Sequence, residues 1–209
     1  METLLRNDFT SHYGLPVATI ANILATTAVP YFELKDDNTL IYTVNSQGTA
    51  KYSNLNTIDI TVINYESFFN SLSPAFIHSK EKCDLIVHDN NQQYILFNEL
   101  TDTLPIYVSP FINTQGQQPG KRQKAISQLL SSLAIVMNVP TIAAFANNHT
   151  FRHCCFFNKQ SIAPPTIIAT TAFNRLGTLI TGGFRMSNPD IEVFGFEFWE
   201  YSGNQVYNL

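Results

Sequence analysis

Charge is scarce in this chain. Asp, Glu, Lys and Arg make up 13% of its 209 residues, against roughly 25% in an average soluble domain, so polarity falls to Asn, Gln, Ser and Thr. There is no basic excess: 12 Lys and Arg stand against 16 Asp and Glu, a net charge of −4. Proteins that grip duplex nucleic acid through many phosphates carry a basic face, so any nucleic-acid role has to rest on a local patch. Cysteine is equally sparse. Cys83, Cys154 and Cys155 are too few and too unevenly placed for a disulfide framework, which suits a reducing compartment, with the cytoplasm as the default expectation. No apolar run approaches the roughly 18–20 residues of a membrane span, so no membrane role is expected. Residues 1–8 carry an early acid and no apolar core of the kind a secretory signal needs. The Asn148-His149-Thr150 sequon therefore reads as accidental. Gly182-Gly183 has no GxxxxGK or GxGxxG frame around it, so it is no phosphate loop. Neither a Gly-x-Ser-x-Gly elbow nor a Cys/His pair points to a covalent nucleophile.

What is present is 44% apolar residues, enough at this length for one well-buried core and a single domain over 1–209. The spacing predicts a helix over 14–29, with Pro16 in its first turn and Pro30 ending it. A hairpin over 31–35 and 39–44 follows, then a loop over 45–56 and a half-buried strand over 57–63. Asn64 reads as the N-cap of a helix that stops before Pro74. A long connection, 102–120, leads to a helix over 121–137 whose apolar stripe is Ile126, Leu129, Leu130, Leu133 and Met137. Residues 141–145 and 151–157 read as two strands that form a hairpin. Pro164-Pro165 and Gly182-Gly183 mark turns, and 191–201 reads as a late strand bulged at Gly195.

The stretch 83–137 organises the rest. Two apolar runs, 83–87 and 94–101, flank a polar turn containing Asp89-Asn90-Asn91 and read as a hairpin. Each carries one acid among apolar neighbours: Asp84 opening the first, Glu99 near the end of the second. Antiparallel pairing sets those ends side by side. Acids inside apolar strands are unusual without a partner, and two converging carboxylates are hard oxygen ligands of the kind Mg²⁺ prefers.

Asp84 opening a strand, a turn, a strand ending in Glu99, and then a helix carrying Ala125-Ile126-Ser127-Gln128-Leu129 resembles the PD-(D/E)XK nuclease superfamily. The likeness spans roughly residues 66–157. It implies an α/β, restriction-endonuclease-like fold, a central mixed sheet flanked by helices, with a nuclease-like core over 57–157. An N-terminal helix and hairpin (1–56) and C-terminal strands (158–209) would be added to that core. It also implies Mg²⁺-dependent phosphodiester hydrolysis, with Asp84 and Glu99 as metal ligands and nucleic acid as the partner. A Gln on the helix, as Gln128 is here, occurs in some branches.

The chain departs from the family pattern two positions after Glu99, where Thr101 stands in place of the lysine. Lys121, Lys124 and Gln128, at i, i+3 and i+7 beside the buried stripe, are the candidates to replace it. The plain alternative is that they are solvated residues in the first turns of a helix. The function is then a Mg²⁺-dependent nuclease or, with the lysine gone, a catalytically inactive nuclease-like fold used for binding or structure. Glu33-Leu34-Lys35 spells acid-x-Lys more literally, but no Asp-bearing strand precedes it. Its alternation reads as one exposed face of a hairpin. His149, His153, Cys154 and Cys155, with Cys83 or His88, are zinc-ligand types, yet adjacent Cys154 and Cys155 on a strand point to opposite faces.

Overall fold

The computed structural model describes residues 1–17, 23–37, 39–43, 48–102, 107–158 and 182–209. In chain order, a helical segment wound as π over Leu4–Phe9 and as α over Thr10–His12 (α1) precedes β1 (Leu24–Thr27), β2 (Tyr31–Leu34), β3 (Ile41–Tyr42), β4 (Ala50–Ser53) and β5 (Ile60–Asn64). Helices α2 (Tyr65–Asn70) and α3 (Pro74–Ile77) lead to β6 (Leu85–Asp89) and β7 (Tyr94–Thr101). A short hairpin, β8 (Phe111–Asn113) and β9 (Gly116–Gln118), comes before α4 (Lys121–Met137) and α5 (Pro140–Asn147). After these come β10 (Phe151–Asn158), β11 (Phe184–Met186), α6 (Pro189–Glu192), β12 (Glu197–Ser202) and β13 (Tyr207–Asn208).

β5 and β6 bury every residue, and strands of that kind need cover on both faces. They lie in a seven-stranded mixed sheet of order β1-β5-β6-β7-β10-β12-β11. β1, β5, β6 and β7 run antiparallel in sequence along it, whereas β10 is parallel to both β7 and β12. The strand period of two sorts the apolar side chains into two cores. Ile63, Ile86, Ile95, Phe97, Cys154, Phe156 and Phe198 meet the helices. Ile60, Val62, Leu85, Val87, Leu96, Cys155 and Phe157 meet Phe32, Leu34, Ala50 and Tyr52 of a second sheet, β13-β4-β2-β3. Cys154 and Cys155 thus fall on opposite faces, and all three cysteines are free and buried. The architecture is α/β, a large mixed sheet with helices. Among the described residues, the helices lie against one face and the smaller sheet against the other.

Several local expectations change. Leu24–Thr27, expected within a helix, is a strand paired with β5; the first helix lies earlier, and residues 18–22 of the expected one are outside the described residues. The expected loop over 45–56 contains β4, which pairs with β2. Residues 141–145 are helical, not extended. Pro140 occupies the first position of α5 and holds Val139 in the extended region before it. β10 therefore makes no hairpin and crosses over to lie parallel to β7. The late strand begins only at Glu197, because α6 and a turn through Gly195 at φ 77° use the preceding residues. Pro164-Pro165 lies outside the described residues. Among the described residues no single helix is long and apolar enough to cross a membrane.

The elements nearest the acids match expectation closely. Asn64 caps α2, its side chain accepting the Ser67 N–H at 2.8 Å. Asp89 closes the β6–β7 turn by accepting the N–H groups of Asn91, Gln93 and Tyr94 at 2.7–2.9 Å. α4 has the expected bounds, but its buried line is Ala125, Leu129, Ser132, Leu133 and Val136, with Ile126, Leu130 and Met137 only partly buried. Small residues on that line let the helix approach the segment before β6. There Gln128 Nε2 donates to Lys82 O at 3.0 Å, Ser131 Oγ to Glu81 O at 2.7 Å, and Ser132 Oγ accepts the Cys83 N–H at 2.8 Å.

Ser132 is fully buried, so Ser132→Ala strands the Cys83 N–H away from water. The expected cost is about 1–3 kcal/mol, read as a lower urea midpoint at unchanged slope.

Candidate metal centre

The register Leu85↔Asn98 and Ile86↔Phe97 makes Asp84 and Glu99 the next facing pair, at the rim where β6 begins and β7 nears its end. The Asp84 N–H still donates to Asn98 O at 3.1 Å. Facing side chains in such a pair have Cβ atoms about 4.5–5.5 Å apart, and period-two alternation puts both on the helix-covered face with Ile86 and Phe97. Both are buried, at 7% and 8% exposure. Asp84 Oδ2 accepts the Leu100 N–H at 2.7 Å, a donor that the β6 ladder no longer reaches. Glu99 Oε2 is buried with no hydrogen-bond partner.

Burial pushes both carboxyls up, and neighbouring carboxylates add to the rise. Asp84 rises to about 7 through burial and the carboxylates of Asp36 and Glu66, against the Leu100 N–H and Lys82, which favour its ionised form. Glu99 rises further, to about 10, through burial, then Asp84 and Glu66, with Lys124 opposing.

Two more acids complete the cluster. Glu66 sits in the first turn of α2, its N–H donating to Asp84 O at 3.0 Å. Asp36 lies in the turn that follows β2, in the smaller sheet. One oxygen each from Asp36, Glu66 and Asp84 fall within 4.8 Å of one another; Asp36 is exposed, Glu66 half-buried and Asp84 buried. Among the described residues no other group of three or more His, Cys, Asp or Glu side chains converges in this way. Neither Glu66 nor Asp36 is among the residues the sequence pattern singles out. The Asn64 cap puts Glu66 in a helix's first turn, but only the fold brings that turn beside Asp84. Asp36 lies in a hairpin turn, where nothing local in the sequence points to Asp84.

The lysines divide. Lys124 lies near enough to Glu99 to favour its charge. Lys121 makes no ion pair among the described residues. Gln128 is engaged with the Lys82 carbonyl and so fixes the backbone two residues before Asp84. Lys82, not among the expected candidates, pairs with Glu66 at 3.4 Å. Arg122, the second residue of α4, is held by Glu200, Nε to Oε2 at 2.5 Å and Nη2 to Oε1 at 2.9 Å.

The other motifs go elsewhere. Glu33 is buried rather than on an exposed face; it accepts the Gly48 N–H at 2.7 Å and the Tyr31 hydroxyl at 2.9 Å, while Lys35 pairs with Asp37 at 3.4 Å. His88 and His149 bond backbone carbonyls through Nδ1, and His153 Nδ1 meets the Tyr207 hydroxyl. Comparison of the chain with protein-family models, characterised proteins and solved structures gave no match.

The donor set fits a hard divalent cation: all its ligand atoms are carboxylate oxygens, and the buried Glu99 Oε2 lacks a partner. Without metal the two acids oppose folding. Their folded-state values stand above the ordinary range near 4. The associated stability is therefore complete at acid pH and is lost as pH rises, through about 7 for Asp84 and towards about 10 for Glu99. In EDTA at pH 8, Glu99→Gln is expected to raise the melting temperature by about 2–4 °C, the shift that 1 kcal/mol produces at this size. At pH 4 the gain should vanish. Equal melting temperatures at both pH values would show that Glu99 carries no such penalty.

Proposed function

We propose that this chain is a PD-(D/E)XK-like, Mg²⁺-dependent phosphodiesterase acting on nucleic acid. The observation that carries the reading is the facing pair Asp84 and Glu99, buried at one rim of a mixed sheet with one carboxylate oxygen unpartnered. Support also comes from the order of elements: antiparallel β5-β6-β7, then helices, then β10 parallel to β7. A Mg²⁺ held there would supply Lewis-acid stabilisation of the charge that develops on phosphate. Asp84 and Glu99 hold the cation. Asp84 is oriented by the Leu100 N–H and by a backbone that α4 pins through Gln128 and Ser132. Lys124, the candidate that acts on Glu99, takes the place of the lysine that Thr101 replaces and positions the attacking water. Lys82 and Lys124 offset two of the surrounding carboxylates, and a bound divalent cation would supply the remaining positive charge that a polyanion requires.

Thr101 favours a second reading, an inactive nuclease-like fold that binds without cleaving. Calorimetry and a cleavage assay separate the two. Mg²⁺ should bind the wild type with measurable heat, and Asp84→Ala should abolish it. Cleavage should disappear with Glu99→Ala, while Lys124→Ala should slow it about 10²–10⁴-fold, the usual worth of one proton-handling group, with metal affinity little changed. Lys121→Ala should stay within a few-fold of wild type. Metal heat without any cleavage is the outcome of the second reading; no metal heat in the wild type removes the first.

A further inference from the structure

The four acids arrive from three separate parts of the fold. Asp84 and Glu99 belong to the large sheet, Glu66 to α2, and Asp36 to the turn after β2 in the smaller sheet. The neighbouring Asp37 is used inside its own turn, accepting the Thr39 and Leu40 N–H groups at 2.9 and 3.2 Å, the Tyr42 hydroxyl at 2.6 Å, and Lys35. Asp36 instead faces Glu66 and Asp84 across the boundary between the sheets. Among the described residues, two cations stand against these four carboxylates: Lys82, paired with Glu66, and Lys124, beside Glu99. With all groups ionised the cluster is two charges short of neutrality, the charge of one divalent ion.

Spacing sets a separate condition, since two ligand oxygens of one ion can stand no further apart than twice the metal–oxygen distance. Oxygens on opposite sides of a cation stand about 4.0–4.2 Å apart around Mg²⁺ and about 4.6–5.2 Å apart around Ca²⁺, from metal–oxygen distances near 2.1 and 2.3–2.6 Å. The oxygens of Asp36, Glu66 and Asp84 lie within 4.8 Å of one another. Independently of this spacing, Glu99, 8% exposed and opposite Asp84 in the strand register, presents an oxygen with no partner.

We propose that Asp36 and Glu66 are ligands of the same hard-cation centre as Asp84 and Glu99, so that a bound divalent ion clamps the β2–β3 turn of the smaller sheet onto the rim of the larger one. The inference rests on the reading of Asp84 and Glu99 as metal ligands and extends the centre beyond the hairpin. Metal binding then has a mechanical effect as well as a chemical one: it adds a tie between two sheets that otherwise meet through apolar contacts and side-chain hydrogen bonds such as Asn98 Nδ2 to the Tyr52 hydroxyl at 2.8 Å.

The test uses the full chain with Mg²⁺ by calorimetry and Mn²⁺ by electron paramagnetic resonance. Asp36→Asn is expected to weaken either ion at least tenfold, and Asp36→Glu to recover part of that loss. Asp59→Asn removes one exposed acid beside the far end of β5 and should leave affinity within twofold. In the wild type, metal should slow hydrogen exchange at the Thr39 and Leu40 amides, and Asp36→Asn should remove the slowing while circular dichroism stays native. Unchanged affinity in Asp36→Asn, or exchange in the turn indifferent to metal, overturns the proposal. Phosphodiester cleavage that persists in that case leaves the nuclease reading standing. A cation bound as described, with no cleavage, sinks the nuclease reading and leaves this one.

Discussion

Two carboxylates held face to face, away from water, set the terms for the rest of this molecule. Isolated charge is costly to bury, and two like charges on adjacent strands disfavour each other's ionisation. Asp84 offsets part of that cost by accepting the Leu100 N–H, which would otherwise be left unpaired where the β6 ladder ends. Glu99 has no such compensation at Oε2. A hairpin wanting stability alone would place an apolar pair there, as it does one step further in with Ile86 and Phe97. The acids, the lysines beside them and the two additional carboxylates set this rim apart from the apolar packing one step further in.

The surroundings hold that pair rigidly. The β6–β7 turn is fixed by a single carboxylate, Asp89, that gathers three N–H groups. At the other end of β6, three polar side chains of α4 bind successive backbone groups of residues 81–83. Gly120 makes that docking possible. A Cβ there would lie 2.3 Å from the Ser109 backbone, so the start of α4, with Lys121, Arg122 and Lys124, passes close against the preceding segment only because the residue has no side chain. Arg122 then locks to Glu200 on β12, which ties the helix to the far half of the sheet.

How much of this could be read from the chain follows from how local each signal is. The Asn64 cap, the Asp-Asn-Asn turn and the apolar period of α4 lie within a few residues, and each leads to the element found. Leu24–Thr27 and Pro140–Asn147 were misread because a short apolar run carries no decisive period. Pairing with β5 makes the first a strand, and Pro140 with the packing of α5 makes the second a helix. The same limit applies to the site. Asp84 and Glu99 share a hairpin and were legible together. Glu66 and Asp36 join them only through tertiary structure, and Lys82 was hidden because its role depends on where α2 lies. The second sheet was half visible, as the β2–β3 hairpin, but its placement over one face was not.

The parallel pairing of β10 with β7 also has a kinetic meaning. The β6–β7 hairpin closes over a few residues, whereas β10 reaches it only after the whole α4–α5 crossover, and such distant pairings are slow to form. The acid pair therefore comes together first in a hydrated hairpin, where its repulsion is screened. Its exclusion from solvent comes late, when the crossover docks, so the electrostatic penalty falls on the final stages of folding rather than on the initial turn.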